Sequence, residues 1–405
     1  MTELSELTRD ERPVVTRDFV AIVMTQMMFG YAISTFLLLP KFLATQLHGT
    51  ASQIGHVSAI PGCTAALIVP FVGSALDHFG RRPLMRVGAA LGALCALLWL
   101  FVDSIGPAVY GLQVMSGIAF MLAFSGSSTL VADSAPPEKL GQAIGLFGAA
   151  NISMNALAPA IAEPLASVYG WHSAFVVASL AFLASLVSSL SVRESDRSHL
   201  LSVADGGRAN PLAQTVHVAR KLLPYMIAML TCGAAFGAVF TFYQPFVLAQ
   251  GAEHVSTFFV GFTTAAVTTR LGLGSFADRF GRRRVAFWAL VAYVFMVLMM
   301  TQLTPSLLLP LGFGFGLAHG FFFPALNAFA LEFTELRERG RAMTLVNGAF
   351  HLGNTCSVLC CGWVAEAYGY PQAFMLAAVI AGLGVCALHW DVPLAARSVL
   401  RAAAP

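Results

Sequence analysis

Charge is what this sequence has least of. Of its 405 residues, 57% are hydrophobic and only 11% are charged, whereas a soluble domain carries about 25% charged residues. A chain so poor in charge cannot coat a water-facing surface. Several signatures of chemistry are missing as well. No Gly-x-x-x-x-Gly-Lys loop is present to cradle a nucleotide phosphate, which argues against direct ATP drive. The seven cysteines all fall in apolar stretches. Around Cys356, Cys360 and Cys361 no further cysteine or histidine stands at a finger-like spacing, so they read as small packing residues. Neither a metal nor an organic cofactor is expected. The phrase "FSGSSTL" (124–130) resembles an intramembrane serine nucleophile in outline. Four small residues on a packing helix account for it better, and no enzymatic activity is expected. The first apolar segment follows acids (Glu3, Glu6, Asp10, Glu11) as well as bases and has no small-residue cleavage site after it. It reads as a spanning helix rather than a cleaved signal.

What is present is a series of long apolar runs. About 20 such residues are needed to span a bilayer as a helix. Twelve runs qualify, at 19–40, 52–76, 83–102, 107–132, 139–168, 172–192, 222–248, 255–277, 283–303, 306–333, 340–367 and 371–390. With both termini inside, only Lys41 of the 23 basic residues falls in an outer loop, and Arg270 lies within a helix. That asymmetry sets the orientation, with both termini cytoplasmic in a plasma (bacterial inner) membrane. The arginines are spread over every inner loop, which is a topological pattern and not a nucleic-acid patch.

The chain repeats itself. "GSALDHFGRRP" (73–83) returns as "GSFADRFGRRR" (274–284), an offset of 201 that pairs Asp77 with Asp278 and Gly80 with Gly281. A second set aligns at offset 199: Asp133 with Glu332, Gly141 with Gly340, Gly170 with Gly369, Phe175 with Phe374. Two halves of six spans each are parallel repeats about an axis along the membrane normal. The expected organisation is a cytoplasmic segment 1–18, a six-helix bundle 19–192, a polar inner linker 193–221, a second bundle 222–390 and a cytoplasmic tail 391–405. Residues 211–221 could form a short surface helix.

The Gly-x-x-x-Asp-x-x-Gly-Arg-Arg pattern between spans two and three, recurring between eight and nine, resembles the signature loop of the major facilitator superfamily. The resemblance covers nearly the whole chain. It implies an all-α integral membrane protein: two pseudo-symmetric six-helix bundles around a central cavity, working as a monomer by alternating access. It also implies that the loop is a conformational latch and not a substrate site. Physical chemistry gives the parts their roles. Gly73 and Gly274 let another helix approach. Asp77 can meet a helix N-terminus near Gly340, and Asp278 one near Gly141. Arg81 or Arg82 can reach Asp133, and Arg282 or Arg283 can reach Glu332. A tight inner turn that only sets topology is the plainer reading of the same residues.

Polar residues inside a bilayer are costly and usually face the protein interior. Spans three, six, nine and twelve carry almost none, and the resemblance makes them lipid-facing supports. The others carry Gln26, Tyr31, Gln113, Asn151, Asn155, Tyr243, Gln244, His319, Asn327, Asn347, His351 and Asn354, the candidate lining of a substrate cavity. Asn347, His351 and Asn354 share one helix face at i, i+4 and i+7. Asn155 is the repeat partner of Asn354. Helix–helix hydrogen bonding with no ligand is the competing reading for each asparagine. His319 and His351 titrate near neutral pH and are candidate proton carriers. Glu163, in the outer half of the fifth span, could carry a proton, face a water-exposed rim or sit in a static pair. Arg270 reads as structural. Three departures from the family's drug-exporter pattern stand out: Gln113 in place of an arginine in the fourth span, Ala158–Pro159 in place of Gly-Pro in the fifth, and no acid in the first beyond Asp18.

The expected function is secondary transport of a small-molecule substrate within membrane lipid, with protons as coupling ion. Export of an apolar or amphipathic compound leads, and uptake of a metabolite is the alternative.

Overall fold

The computed structural model describes residues 15–135, 139–192, 211–272, 276–335 and 338–402. At 70, 73–74, 77, 141, 211–214, 271–272, 277–278, 340 and 390–402 it describes the helical backbone alone. Among the described residues there is no β-strand, and twelve helices of 17 residues or more follow one another. They are α1 (Arg17–Thr45, with a 3₁₀ turn at Phe36–Leu38), α2 (Ala51–Phe79), α3 (Arg81–Leu98), α4 (Pro107–Ser134), α5 (Leu140–Tyr169) and α6 (Trp171–Ser188). Then come α7 (Pro211–Leu248), α8 (Ser256–Gly272), α9 (Arg282–Met299), α10 (Leu308–Leu331), α11 (Arg339–Tyr368) and α12 (Tyr370–Ala402). A short helix, Phe276–Phe280, leads into α9.

Ten of the twelve are long and apolar enough to cross a membrane. The two outside that set have physical reasons. The described part of α8 is 17 residues long. α11 carries Asn347, His351, Asn354, Thr355 and Ser357 along its middle. The helix ends are chemically marked. Thr16 Oγ1 caps α1 by accepting from the Phe19 amide at 3.1 Å, and α4 opens with Pro107 in its first turn. Four helix junctions are single glycines in the left-handed region: Gly80 (φ 97°), Gly170 (82°), Gly281 (91°) and Gly369 (100°). They fall in the two repeat pairs, so the backbone breaks at matching points in both halves. A side chain there would be strained.

By their contacts the residues form two compact units: 1–39 with 67–206, and 40–66 with 207–405. In the first, α1 packs on α5 and α6, and α3 on α4 and α6. In the second, α7 packs on α11 and α12, and α9 on α10 and α12. The same pairings thus recur six helices later. The interiors differ in filling. Small residues dominate one core of the first unit, with Ala32, Ala89, Ala93, Ala96, Ala123 and Ala178 around Phe29 and Phe182. Phenylalanine rings dominate the second, where Phe236, Phe240, Phe258, Phe262 and Phe315 interlock. The N-terminal end of α2 belongs to the second unit. There Glu366 of α11 accepts from the Ser52 amide (2.9 Å) and the Thr50 hydroxyl (2.8 Å), placing a carboxylate at the N-terminus of α2.

Helices α3, α6, α9 and α12 present apolar stripes to the outside. Met375, Val379 and Leu383 on α12, and Leu180, Leu183 and Val187 on α6, are exposed at helical spacing. Two segments differ from the sequence reading. Residues 211–221 are not a separate surface helix but the first turns of α7, and α12 runs on to Ala402 instead of ending at 390. Both extensions continue a helix that already exists, so they lengthen it without a new nucleus, and Pro393 is the one position in the α12 extension that adds no hydrogen bond. The remainder of the linker, 193–210, lies outside the described residues.

Candidate functional site

Two polar clasps hold α1 to α5 in the first unit. Gln26 Nε2 donates to Asn151 Oδ1 at 2.9 Å, and the Ser34 hydroxyl donates to Asn155 Oδ1 at 2.9 Å. Gln26 is buried and its Oε1 has no hydrogen-bond partner among the described residues. Pro159, four residues after Asn155, lacks an N–H and so frees the Asn155 carbonyl from the α5 ladder. The corresponding positions of α7 and α11 have a different chemistry. Gly30 faces Asn151, and Gly233 faces Phe350, the repeat partner of Asn151. Ser34 faces Asn155, and Gly237 faces Asn354. Where the first unit holds its helices with amides, the second brings two backbones together. A Cβ on Gly233 would run into the Phe350 carbonyl.

His319 of α10 lies at the centre of the second unit's aromatic cluster. Its ring is 5.2 Å from Phe236, 5.6 Å from Phe262, 5.5 Å from Phe323, and 6.1 Å from both Tyr293 and Phe350. His319 is buried, and its Nδ1 has no hydrogen-bond partner among the described residues. Nearby, Asn327 Nδ2 donates to the Phe323 carbonyl (3.0 Å) and lies 3.4 Å from Asn347 Oδ1.

The polar residues expected to line one cavity are distributed more finely than their spacing suggests. Asn347 turns to α10, Asn354 lies against α7 at Gly237, and His351 between them is exposed. Tyr243 and Gln244 are fully buried. The Tyr243 hydroxyl donates to the Val255 carbonyl at 3.0 Å, and Gln244 Nε2 donates to the Phe240 carbonyl at 3.3 Å. These two hold backbone rather than face open space. Gln113 is buried and Tyr31 half-buried. Glu163 is only 1% exposed, so it is not on a water-exposed rim.

The two signature loops have parallel geometry. Arg81 Nε is 3.3 Å from Asp133 Oδ2, and the Arg282 guanidinium is 3.1 Å from Glu332 Oε1. The next arginine in each copy does something else. Arg82 donates to the Leu190 carbonyl (3.4 Å) and Arg283 to the Leu388 carbonyl (3.1 Å). Each loop therefore ties its third helix to the acid of the fourth through one arginine, and to the backbone of the sixth through the next. Arg86 adds a bond to the Ser189 carbonyl at 3.3 Å, and Lys221 pairs with Glu338 at 3.6 Å. Gly73, Asp77 and Asp278 lie on helical backbone but their side-chain surroundings, like Gly274 altogether, fall outside the described residues.

Sequence reasoning passed over Ser34, Tyr293 and the phenylalanines around His319. Serine and phenylalanine in an apolar run read as packing or lipid-facing. The one available signal was the i, i+4 pairing of Phe236 with Phe240 and of Phe258 with Phe262 on neighbouring spans.

Set beside known proteins, the chain matches the sequence profile of the Major Facilitator Superfamily over residues 20–271 and 250–403. It is 24% identical over 337 residues to a protein named multidrug resistance protein MdtG of Enterobacter lignolyticus, covering 80% of this chain and 79% of that one. It is 23% identical over 339 residues to the protein of that name from Salmonella arizonae, covering 80% and 81%. Among solved structures, the nucleoside transporter NupG superposes with a TM-score of 0.75 at 14% identity, covering 92% of this chain and 98% of that one. That likeness is one of fold.

Proposed function

The chain belongs to the Major Facilitator Superfamily, and on that premise we propose that it is a proton-coupled exporter of small apolar or amphipathic compounds. It is a transporter of the membrane, not an enzyme. In this reading it works as a monomer by alternating access in a bacterial inner membrane, with both termini and the 193–221 linker cytoplasmic. Export rather than uptake is supported by the multidrug-resistance relatives and by the apolar filling of the second unit. Of the rings around His319, half-buried Phe236 and Phe323 are the ones a planar or amphipathic cargo could stack on.

The observation that carries the coupling is Glu163, a carboxyl group sealed at 1% exposure in α5, between Pro159 and Pro164. An ionisable side chain buried in a membrane helix is costly and marks a proton or substrate path. A carrier needs a group buried in one state and wetted in the other. Glu163 takes that role here, with exposed His351 assisting and His319 kept for the cargo surface. The signature loops act as inner latches, in which Arg81–Asp133 and Arg282–Glu332 brace each half.

The test is substrate flux in liposomes with and without an imposed pH gradient. Glu163→Gln mimics the protonated carboxyl. It is expected to keep substrate exchange and to lose gradient-driven accumulation. Full accumulation by Glu163→Gln removes the carboxyl from coupling, and the same assay on His351→Gln and His319→Gln then asks whether a histidine carries the proton.

A further inference from the structure

A groove of ≈ 600 Å³ opens on the second unit between the short helix Phe276–Phe280, α9 and α10. Its walls are Phe276, Phe280, Trp288, Ala292, Met296 and Phe321, and Arg284 stands at its arginine-rich end. The volume lies in the range of small-molecule sites. We infer that this groove binds the acyl chain of an anionic phospholipid, with Arg284 holding the headgroup.

Three observations carry the assignment. Arg284 is exposed and makes no hydrogen bond or ion pair to a described residue, unlike its neighbours Arg282 and Arg283, which are committed to Glu332 and the Leu388 carbonyl. Its charge is therefore available to a ligand. Trp288 is 67% exposed on α9, a helix that otherwise packs against α10 and α12, and Phe280, on the short helix before it, is 58% exposed. Large rings left open beside a guanidinium make an amphipathic cleft, apolar below and cationic at the rim. The repeat supplies an internal comparison. At the offsets 201 and 199, Arg284, Trp288 and Phe276 correspond to Pro83, Val87 and Ala75, and Gly314 and Phe321 to Met115 and Leu122. Of these positions the first half has neither the charge nor the rings, although Phe280 is matched by Phe79, and it carries a methionine where the second has Gly314. The groove is thus a feature of one half, not a by-product of the shared fold.

Within a bilayer an acyl chain gains nothing from water by entering the cleft, since lipid is already apolar. Selection among lipids must then come from the headgroup. One arginine near the surface favours an anionic lipid by about five-fold. A zwitterionic lipid fills the same apolar walls without that preference.

Trp288 is itself the reporter. The purified full chain is placed in phosphatidylcholine vesicles, and brominated lipids are added as quenchers. The Trp288 signal is taken as the difference between wild type and Trp288→Phe. Brominated phosphatidylglycerol is expected to quench it at about one-fifth the mole fraction that brominated phosphatidylcholine needs. Arg284→Gln should equalise the two lipids and Arg284→Lys should keep the difference, which separates loss of charge from loss of fold. Equal quenching by both lipids in the wild type, or undiminished preference in Arg284→Gln, overturns the assignment. So does relief of the quenching by the amphipathic cation tetraphenylphosphonium, which would make the groove a place for cargo.

Discussion

A single glycine at each of four helix junctions does what no other residue does without strain. Gly80 and Gly281 hold φ at 97° and 91° and let one helix end and the next begin one residue later. An L side chain there costs about 1–2 kcal/mol. Gly80→Ala and Gly281→Ala are therefore expected to lower the stability of the purified protein by that amount each, whereas Gly106→Ala, where φ is negative and the space is open, should change it little. Thermal unfolding in detergent measures this, and equal effects at the three sites would remove the backbone argument. These glycines were legible in the sequence because they recur at a fixed offset. The hydrogen-bond partners were not. Asn151 and Asn155 stand out as amides in an apolar run, and their period puts them on one face. Which neighbour that face meets depends on helix packing, and nothing in the fifth segment names Gln26 or Ser34. Phe236, Phe262 and Phe323 escaped for a related reason: a phenylalanine in lipid and one beside His319 look alike until the helices are assembled.

At the scale of elements, polarity decides which helices look like spans. α11 carries amides, a histidine and hydroxyls through its middle, and it is a full 30-residue helix. Its run at 340–367 is apolar enough to read as a span, and its more apolar repeat partner α5 supports that reading. The extension of α7 down to Pro211 was obscured by the change to polar composition, which marks an aqueous boundary and not a helix end. The inner ion pairs also sort by element. Arg81 and Asp133 are 11% and 20% exposed, against 37% and 46% for Arg282 and Glu332. Exposed pairs contribute about 0–1 kcal/mol, so the first pair should matter more. Arg81→Asp alone sets two acids against each other between α3 and α4. It is expected to slow transport severely while the protein still reaches the membrane. Adding Asp133→Arg should restore a large part of the rate, and the same exchange at Arg282 and Glu332 should show a weaker version of both effects. Flux in liposomes reads the outcome. Wild-type turnover in Arg81→Asp would reduce the loop to a topological turn.

The whole molecule is two copies of one six-helix plan, and the repeat is the property the sequence carries most openly. Offsets of 201 and 199 in the loops become matching helix pairings, matching left-handed glycines and matching arginine contacts in the structure. Divergence between the copies is equally physical: amide clasps in one, close backbones and rings in the other. Orientation is the remaining global property, and it rests on charge. The arginines of both signature loops, with Arg86, Arg220 and Lys221, fall at one set of helix ends, while Lys41, which the structure places in the last turns of α1 and not in a loop, falls at the other. The positive-inside bias is read over short loops close to the spans, which is where these residues are. A single introduced cysteine tests it, in a background with the seven native cysteines replaced. His48→Cys, in the connection between α1 and α2, should react with a membrane-impermeant maleimide added to intact cells. Asp205→Cys, in the linker, should react only after the cells are opened. The reverse pattern would invert the chain and put the arginine-rich loops outside. Labelling of both positions in intact cells would break the odd count of spans between them.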